Sequence, residues 1–388
     1  MHDVLIVGGG PVGCLTAGIL ADAGFDVLVA EEHTEIGHPT DCSGVLGVEA
    51  FERFALPRDM VVGELQKALL VSPGGVRLEF DHERPIAFIL DRAKFDQGLA
   101  AQAIKRGAKF HLGSRISRVA LADGGVKAWI DRGEERAAIE AKTLVLANGA
   151  HYRFQQQLGM GRPPEFVTTA QVDFEVTPSD AVEVYFGSEY GRGSFGWYVP
   201  YRGGRRSMAR VGLLATRDAT LRLRSYLQRS EVAERLRGMI SRVRGSIIPI
   251  RPLSRTYRSR VLAVGDAAGL AKPTTGGGIF YGLISAELAA ETIVRAFQRG
   301  DFSDSMFARY EERWRQELSS ELRMGRVFRR LASGLTDPEV DSIFRLASVN
   351  GLMPRLSRQL SFDWHQDAIL TLLKKPSVLS IFVRGLFR

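Results

Sequence analysis

The sequence predicts a mixed α/β (α+β) fold in three parts: an α/β domain with a parallel sheet, an inserted antiparallel β-sheet, and a C-terminal helical region. Three observations predict it. The first thirty residues read as strand, glycine-rich turn, helix and strand. A second apolar strand with a glycine-rich turn and a long apolar helix recurs at 260–296. Between them lie runs that alternate with period two, and from Asp301 onward the chain reads as helices.

Composition sets the outer limits. The 388 residues carry 52 Lys+Arg against 44 Asp+Glu, for a net charge of +8, and 45% are hydrophobic. That excludes a disordered or collagen-like chain, and the length suits two or three structural units. Cys14 and Cys42 are too few for a disulfide framework, an all-cysteine zinc site or a cysteine-bound iron–sulfur cluster, and no metal is predicted. No charge falls between Asp3 and Asp22, about the length of a membrane span, but the glycines at 8, 9, 10, 13 and 18 mark a buried strand–turn–helix instead. The same turn interrupts the first apolar run too early for a signal peptide, so a cytoplasmic setting is expected. The positive charge suits an anionic membrane surface or substrate. No basic motif interleaved with aromatic residues marks a nucleic-acid site, and none is expected.

Val4–Val7 has the short apolar run of a strand buried on both faces. Gly8-Gly9-Gly10-Pro11-Val12-Gly13 follows, matching G-x-G-x-x-G. Gly8 permits the tight turn, Gly10 lets a pyrophosphate approach the backbone, and Gly13 lets the helix pack on the strand. The helix N-terminus beyond Val12 offers free N–H groups to phosphate. Glu31 closes the second strand about twenty residues on, where a carboxylate accepts from ribose hydroxyls. Strand, turn, helix and acid together make a Rossmann-type dinucleotide site.

The second turn selects FAD over NAD. Arg260–Gly269 reads as a buried strand ending in small residues with one carboxylate, Asp266, placed for a ribityl or ribose hydroxyl. The backbone of Gly277, Gly278 and Ile279 then leads into a long helix and can approach a flat ring. FAD is long, and its reactive ring needs a second cradle far from the adenine. No second fingerprint of strand, glycine turn and helix is read for a nicotinamide, so NAD(P)H would visit transiently, and ferredoxin is equally open as reductant.

Leu90-Asp91-Arg92-Ala93-Lys94-Phe95-Asp96 opens another helix, and Thr143–Gly149 reads as a strand ending in Ala-x-Gly. With the two glycine turns, these motifs resemble the FAD enzymes of the aromatic-hydroxylase fold, which is p-hydroxybenzoate hydroxylase-like. The resemblance implies cofactor contacts at Arg92 and Gly149. Asp41-Cys42-Ser43-Gly44 and Phe195-Gly196-Trp197-Tyr198-Val199-Pro200 further resemble the geranylgeranyl reductase family, whose archaeal members reduce digeranylgeranylglycerophospholipids. That resemblance places Cys42 and Ser43 beside the flavin and makes Phe195, Trp197, Val199 and Pro200 substrate-binding. Val199 and Tyr201 stand where the family has an aromatic residue and a lysine. Cys42 and Tyr198 are the candidate catalytic side chains, and Tyr198, Tyr201 and water remain open as proton sources.

The expected organisation is an FAD-binding domain over 1–55, 90–155 and 250–300, a substrate-binding β-sheet domain over 56–89 and 156–249, and a helical region over 301–388. The last nineteen residues, Leu370–Arg388, hold four basic residues and no acid. Two readings stand: an interfacial helix, peripheral on the inner face of the membrane, or a helix packed over the substrate cavity. The implied activity is reduction of isolated C=C bonds in a polyprenyl lipid or polyprenyl diphosphate. An FAD monooxygenase of an aromatic or isoprenoid substrate, and a non-catalytic flavin-containing lipid carrier, are the competing functions.

Overall fold

The computed structural model describes residues 1–132, 135–239, 241–349 and 361–386. Its first sheet is built around His2–Val7, whose Val4, Leu5 and Ile6 are fully buried. Burial on both faces explains the unbroken apolar run. Parallel neighbours are Val27–Ala30 on one side and the end of Glu135–Leu146 on the other. Lys109–His111 and Val261–Ala263 extend the sheet outward in parallel. Arg115–Ala122 and Gly125–Arg132 add an antiparallel ribbon to Glu135–Leu146. The helices Pro11–Asp22 and Ile279–Arg299 pack together, with Val12 against Gly265 and Gly282. The helix Arg92–Lys105 is capped by Asp91, whose carboxylate accepts from the Lys94 N–H.

The second sheet follows the order 236–239, 166–176, 206–215, 195–203, 181–186, 67–71, 77–81, with Arg244–Pro249 also paired to Phe166–Val176. All pairings are antiparallel except that of Ala181–Phe186 with Lys67–Val71. One face buries Val172, Tyr198, Val211 and Tyr226 with the helix Ala219–Leu227. The other face turns toward the glycine cradles and the C-terminal helices. Val45–Gly47, Ala87–Leu90 and Val61–Leu65 form a small third sheet. The segment 56–89 therefore divides its strands between two sheets.

The C-terminal region contains Asp304–Ser333, capped by Ser303, then Asp337–Val349, Gln366–Leu373 and Pro376–Leu386. Among the described residues, no helix is long and apolar enough to cross a membrane.

Candidate active site

The first turn divides its glycines between packing and reception. A Cβ on Gly8 would lie 2.4 Å from the Ala147 carbonyl oxygen, and one on Gly13 would lie 2.0 Å from that of Gly8. Both positions exclude side chains so that strand, turn and helix can close together. Gly10 has nothing within 4 Å of its missing Cβ. It opens onto two cavities, of about 1020 and 450 Å³, that share Gly10, Pro39, Asp96, Ala147, Gly149 and His151. They form one elongated groove. Glu31 lines the smaller end, where its carboxylate accepts from Gly9 N–H at 2.7 Å and sits 2.6 Å from His33 Nδ1.

The larger end is the second cradle. Val12, Cys42, Arg92, Gly149, Asp266, Gly278 and Ile279 line it. A Cβ on Gly278 would come 2.5 Å from Asp266 Oδ1, so the loop lies directly against that carboxylate. Burial pushes Asp266 up to about 6, against the pull of Arg92. Among the described residues, no protein group donates a hydrogen bond to its carboxylate. A buried acid without a donor beside open backbone is the feature a hydroxyl-rich cofactor arm satisfies. Burial also opposes charge on Arg92, but Asp96, at 3.0 Å, outweighs it and keeps the guanidinium strongly basic. Gly277 faces away from the groove, its missing Cβ 2.7 Å from Lys272 Cε.

Cys42 reaches the groove from a loop held by the second sheet. Gln171 donates to the Cys42 carbonyl at 3.0 Å, and Arg210 donates to the Ser43 carbonyl at 2.7 Å. Ser43 thus fixes the loop through its backbone and does not line the groove. Asp173 takes Arg244 at 2.8 Å and Arg210 at 3.5 Å, and Arg244 reaches Asp41 at 3.5 Å. Sequence reasoning missed this network. Part of its signal was present: Arg210 is a charge inside the apolar run 208–215, whereas Asp173 takes a polar position in an alternating strand, between Gln171 and Glu175.

A third cavity, of about 240 Å³, lies between the second sheet and the C-terminal helices. Phe80, Phe186, Phe195, Phe344, Leu372 and Phe382 line it, and it reaches Thr274 in the loop that carries Gly276 and Gly278. Trp197 lies on the same face as Phe195, its indole filling the space Gly212 leaves open. The strand's alternation corrects three expectations. Tyr198 points to the opposite face, fully buried under the Arg235 guanidinium, and touches neither groove nor cavity. Pro200 shares that opposite face by register. Val199 keeps the Trp197 face but packs beside Leu65, Ile89 and Val182, outside all three cavities. The preceding Gly191–Gly196 spells G-x-G-x-x-G yet runs into the strand Phe195–Gly203, so no helix N-terminus follows for a phosphate.

The C-terminal segment locks onto the second cradle. Lys272 Nζ donates to Asp363 Oδ1 at 2.8 Å and to the Phe362 carbonyl at 2.9 Å, and Asp363 Oδ2 accepts from Gly47 N–H at 3.1 Å. Thr274 lies 2.6 Å from His365 Nδ1; burial and Lys272 push that imidazole down to about 3, so it stays neutral. Of the tail, Val378, Ile381 and Phe382 pack inward and Phe382 lines the apolar cavity, while Leu379 and Val383 stay exposed.

Two glycine cradles on one groove define an FAD-binding flavoprotein, and the family described as FAD binding domain matches residues 1–320. The chain is 30% identical to digeranylgeranylglycerophospholipid reductase 1 of Methanopyrus kandleri, over 93% of this chain and 99% of the relative. It is 29% identical to the digeranylgeranylglycerophospholipid reductase of Methanospirillum hungatei, over 89% of each. It superimposes on a geranylgeranyl bacteriochlorophyll reductase-like protein from Thermoplasma acidophilum with a TM-score of 0.87 at 24% identity, covering 99% of each chain. A flavin-dependent brominase triple mutant gives a TM-score of 0.76 at 15% identity, over 100% of this chain and 98% of that one, which shows a shared fold only. The chain belongs to the geranylgeranyl reductase family of FAD-dependent oxidoreductases, with digeranylgeranylglycerophospholipid reductases among its relatives.

Proposed function

We propose that this enzyme saturates isolated C=C bonds of a geranylgeranyl or related polyprenyl chain carried by a lipid or a diphosphate. The observation that carries the reading is the apolar cavity, walled by phenylalanines, that abuts the flavin loop at Thr274. An isoprenoid offers no polar group along its length, and such a wall is what holds it.

Gly10, Gly149, Asp266, Arg92, Gly278 and Ile279 would hold FAD at the wide end of the groove, with Glu31 at the ribose end. Reduced FAD, when bound, supplies the hydride, and a proton completes each saturation. An unactivated alkene has no carbonyl to spread negative charge, so the protein's task is placement and dryness. Phe195 lines the apolar cavity, and Trp197, outside it, packs behind Phe195 in the cluster of Leu214 and Ile248 whose side chains meet the Gly276 turn. Cys42, the thiol on the groove wall, is assigned contact with the reacting bond, and Gln171 and Arg210 hold its loop at that place. Tyr198 is withdrawn as a proton source because its hydroxyl is sealed on the other side of the sheet. Electrons come from an external reductant, NAD(P)H or ferredoxin. The enzyme works in the cytoplasm, peripheral to the inner face of the membrane that supplies its lipid.

Anaerobic dithionite treatment followed by mass spectrometry of the extracted lipid tests the reading. The expected result is a gain of hydrogen pairs. An oxygen-dependent, hydroxylated product would instead make the protein a monooxygenase. Lipid that co-purifies and gains no hydrogen would make it a carrier. Cys42→Ala is expected to keep FAD and lose turnover.

A further inference from the structure

The outer rim of the groove carries exposed apolar side chains that belong to neither glycine cradle nor to the phenylalanine-walled cavity. Leu221 on the helix Ala219–Leu227 and Ile247 on the strand Arg244–Pro249 line the groove, yet they are 64% and 48% exposed. Met239 and Val243 continue the row at 64% and 40%. These four are a third of the exposed large apolar side chains among the described residues. Register places two of them along one edge of the sheet. Ile247 pairs with Thr168 and Met239 with Phe174, two positions on the same face of one strand. At about 3.4 Å per residue the row is roughly 20 Å long.

Charge is concentrated in the same segment. Residues 217–244 hold eight arginines against three carboxylates. Arg217, Arg224, Arg237 and Arg242 are exposed, and among the described residues none of the four is paired with an acid. Arginines at a sheet edge would by themselves be explained as protection against edge pairing. That purpose does not call for exposed aliphatic side chains between them.

We propose that this rim is a docking surface for an anionic lipid bilayer, with Leu221, Met239, Val243 and Ile247 entering the interface and the four arginines facing lipid phosphates. The proposal rests on the polyprenyl-lipid reading and adds the surface at which substrate is met. A bilayer is favoured over a protein partner because the apolar positions are all aliphatic and stand at the edge of a groove, whereas protein interfaces centre on aromatic anchors. It is favoured over the C-terminal tail because, among the described residues, the large apolar side chains the tail exposes are Leu379 and Val383, and none of the tail lines the groove.

Co-sedimentation of the FAD-loaded full chain with phosphatidylcholine vesicles, with and without phosphatidylglycerol, tests this. Binding is expected only with phosphatidylglycerol and should weaken as salt rises. Each basic residue near an anionic surface contributes roughly fivefold to partitioning, so R237Q/R242Q should lose at least tenfold. M239S/V243S should also bind more weakly, and L379S/V383S should bind as the parent does. Failure of the parent to bind, parent-like binding by both rim variants, or loss in the tail variant alone overturns the proposal. So does a rim variant that still binds vesicles but accepts electrons more slowly from a reduced plant-type ferredoxin, which would assign the surface to a redox protein. Sedimentation needs no turnover, so it stands or falls separately from the hydrogen-gain experiment. Reduction of detergent-dispersed geranylgeranyl diphosphate should survive in all three variants.

Discussion

Lys272→Met removes the cation from a pair whose side chains are 3% and 2% exposed. Methionine fills nearly the same volume, so the loss is electrostatic. Among the described residues, Asp363 would keep only the Gly47 N–H as a donor at its carboxylate, and the Phe362 carbonyl would lose its ammonium partner. Stripping one partner from a buried pair costs about 3–5 kcal/mol. With an unfolding entropy of about 2 cal/mol/K per residue over the full chain, that is a Tm fall of roughly 5 °C. The loop should loosen as well, because Lys272 also donates its backbone N–H to the Gly277 carbonyl and its side chain underlies Gly277. Circular dichroism should report the lower Tm, and the rise in flavin fluorescence on release should move down with it. Lys272→Met combined with Asp363→Leu should recover more than half of the loss, since no buried charge is then left alone. A single variant within about 1 °C of the parent, or a double variant no better than the single, would refute the reasoning.

Gly278→Ala places a Cβ 2.5 Å from Asp266 Oδ1 and should purify with little flavin, read from its visible absorbance. Asp266 titrates near 6 when folded and near about 3.9 when unfolded, so the folded apoprotein holds the extra proton between those values. Apoprotein stability should therefore fall as pH rises from about 4 to 6 and level off above, and Asp266→Asn should abolish that slope in thermal melts. Asp173→Asn weakens the anchor of Arg210 and Arg244 and so the hold on the Cys42 loop. It should lower kcat by about tenfold or more while leaving FAD affinity within a few-fold, because small misplacement at a reacting bond is expensive.

The parts of the fold with a strict local pattern were legible in the sequence. The glycine turns, the helices after Pro11, Arg92 and Ile279, and the alternating strands at 170–176 and 182–186 each follow from spacing that only one local structure satisfies. The two cradles were readable as partners because a long cofactor demands both. What spacing cannot convey is which face of a strand meets which neighbour. Tyr198 looked catalytic because it sits inside an aromatic motif, but period two sends it to the face away from Phe195 and Trp197. The Asp363–Lys272 pair was invisible for a different reason: its members lie 91 residues apart, and neither stands in a repeating pattern. Arg210 was detectable in principle, as a charge inside an apolar run, but Asp173 was not, because with Gln171 and Glu175 it takes the polar positions of an alternating strand.

The strand Val261–Ala263 completes the first sheet only after the chain has left it and built the second. The same excursion supplies Gln171 and Arg210, which fasten the Cys42 loop. During ribosomal synthesis the early glycine turn must therefore wait, bare, until residue 278 has emerged. Coenzyme capture is a late event in biogenesis, and a chain stalled before that point would leave a sticky half-sheet for chaperones to shield.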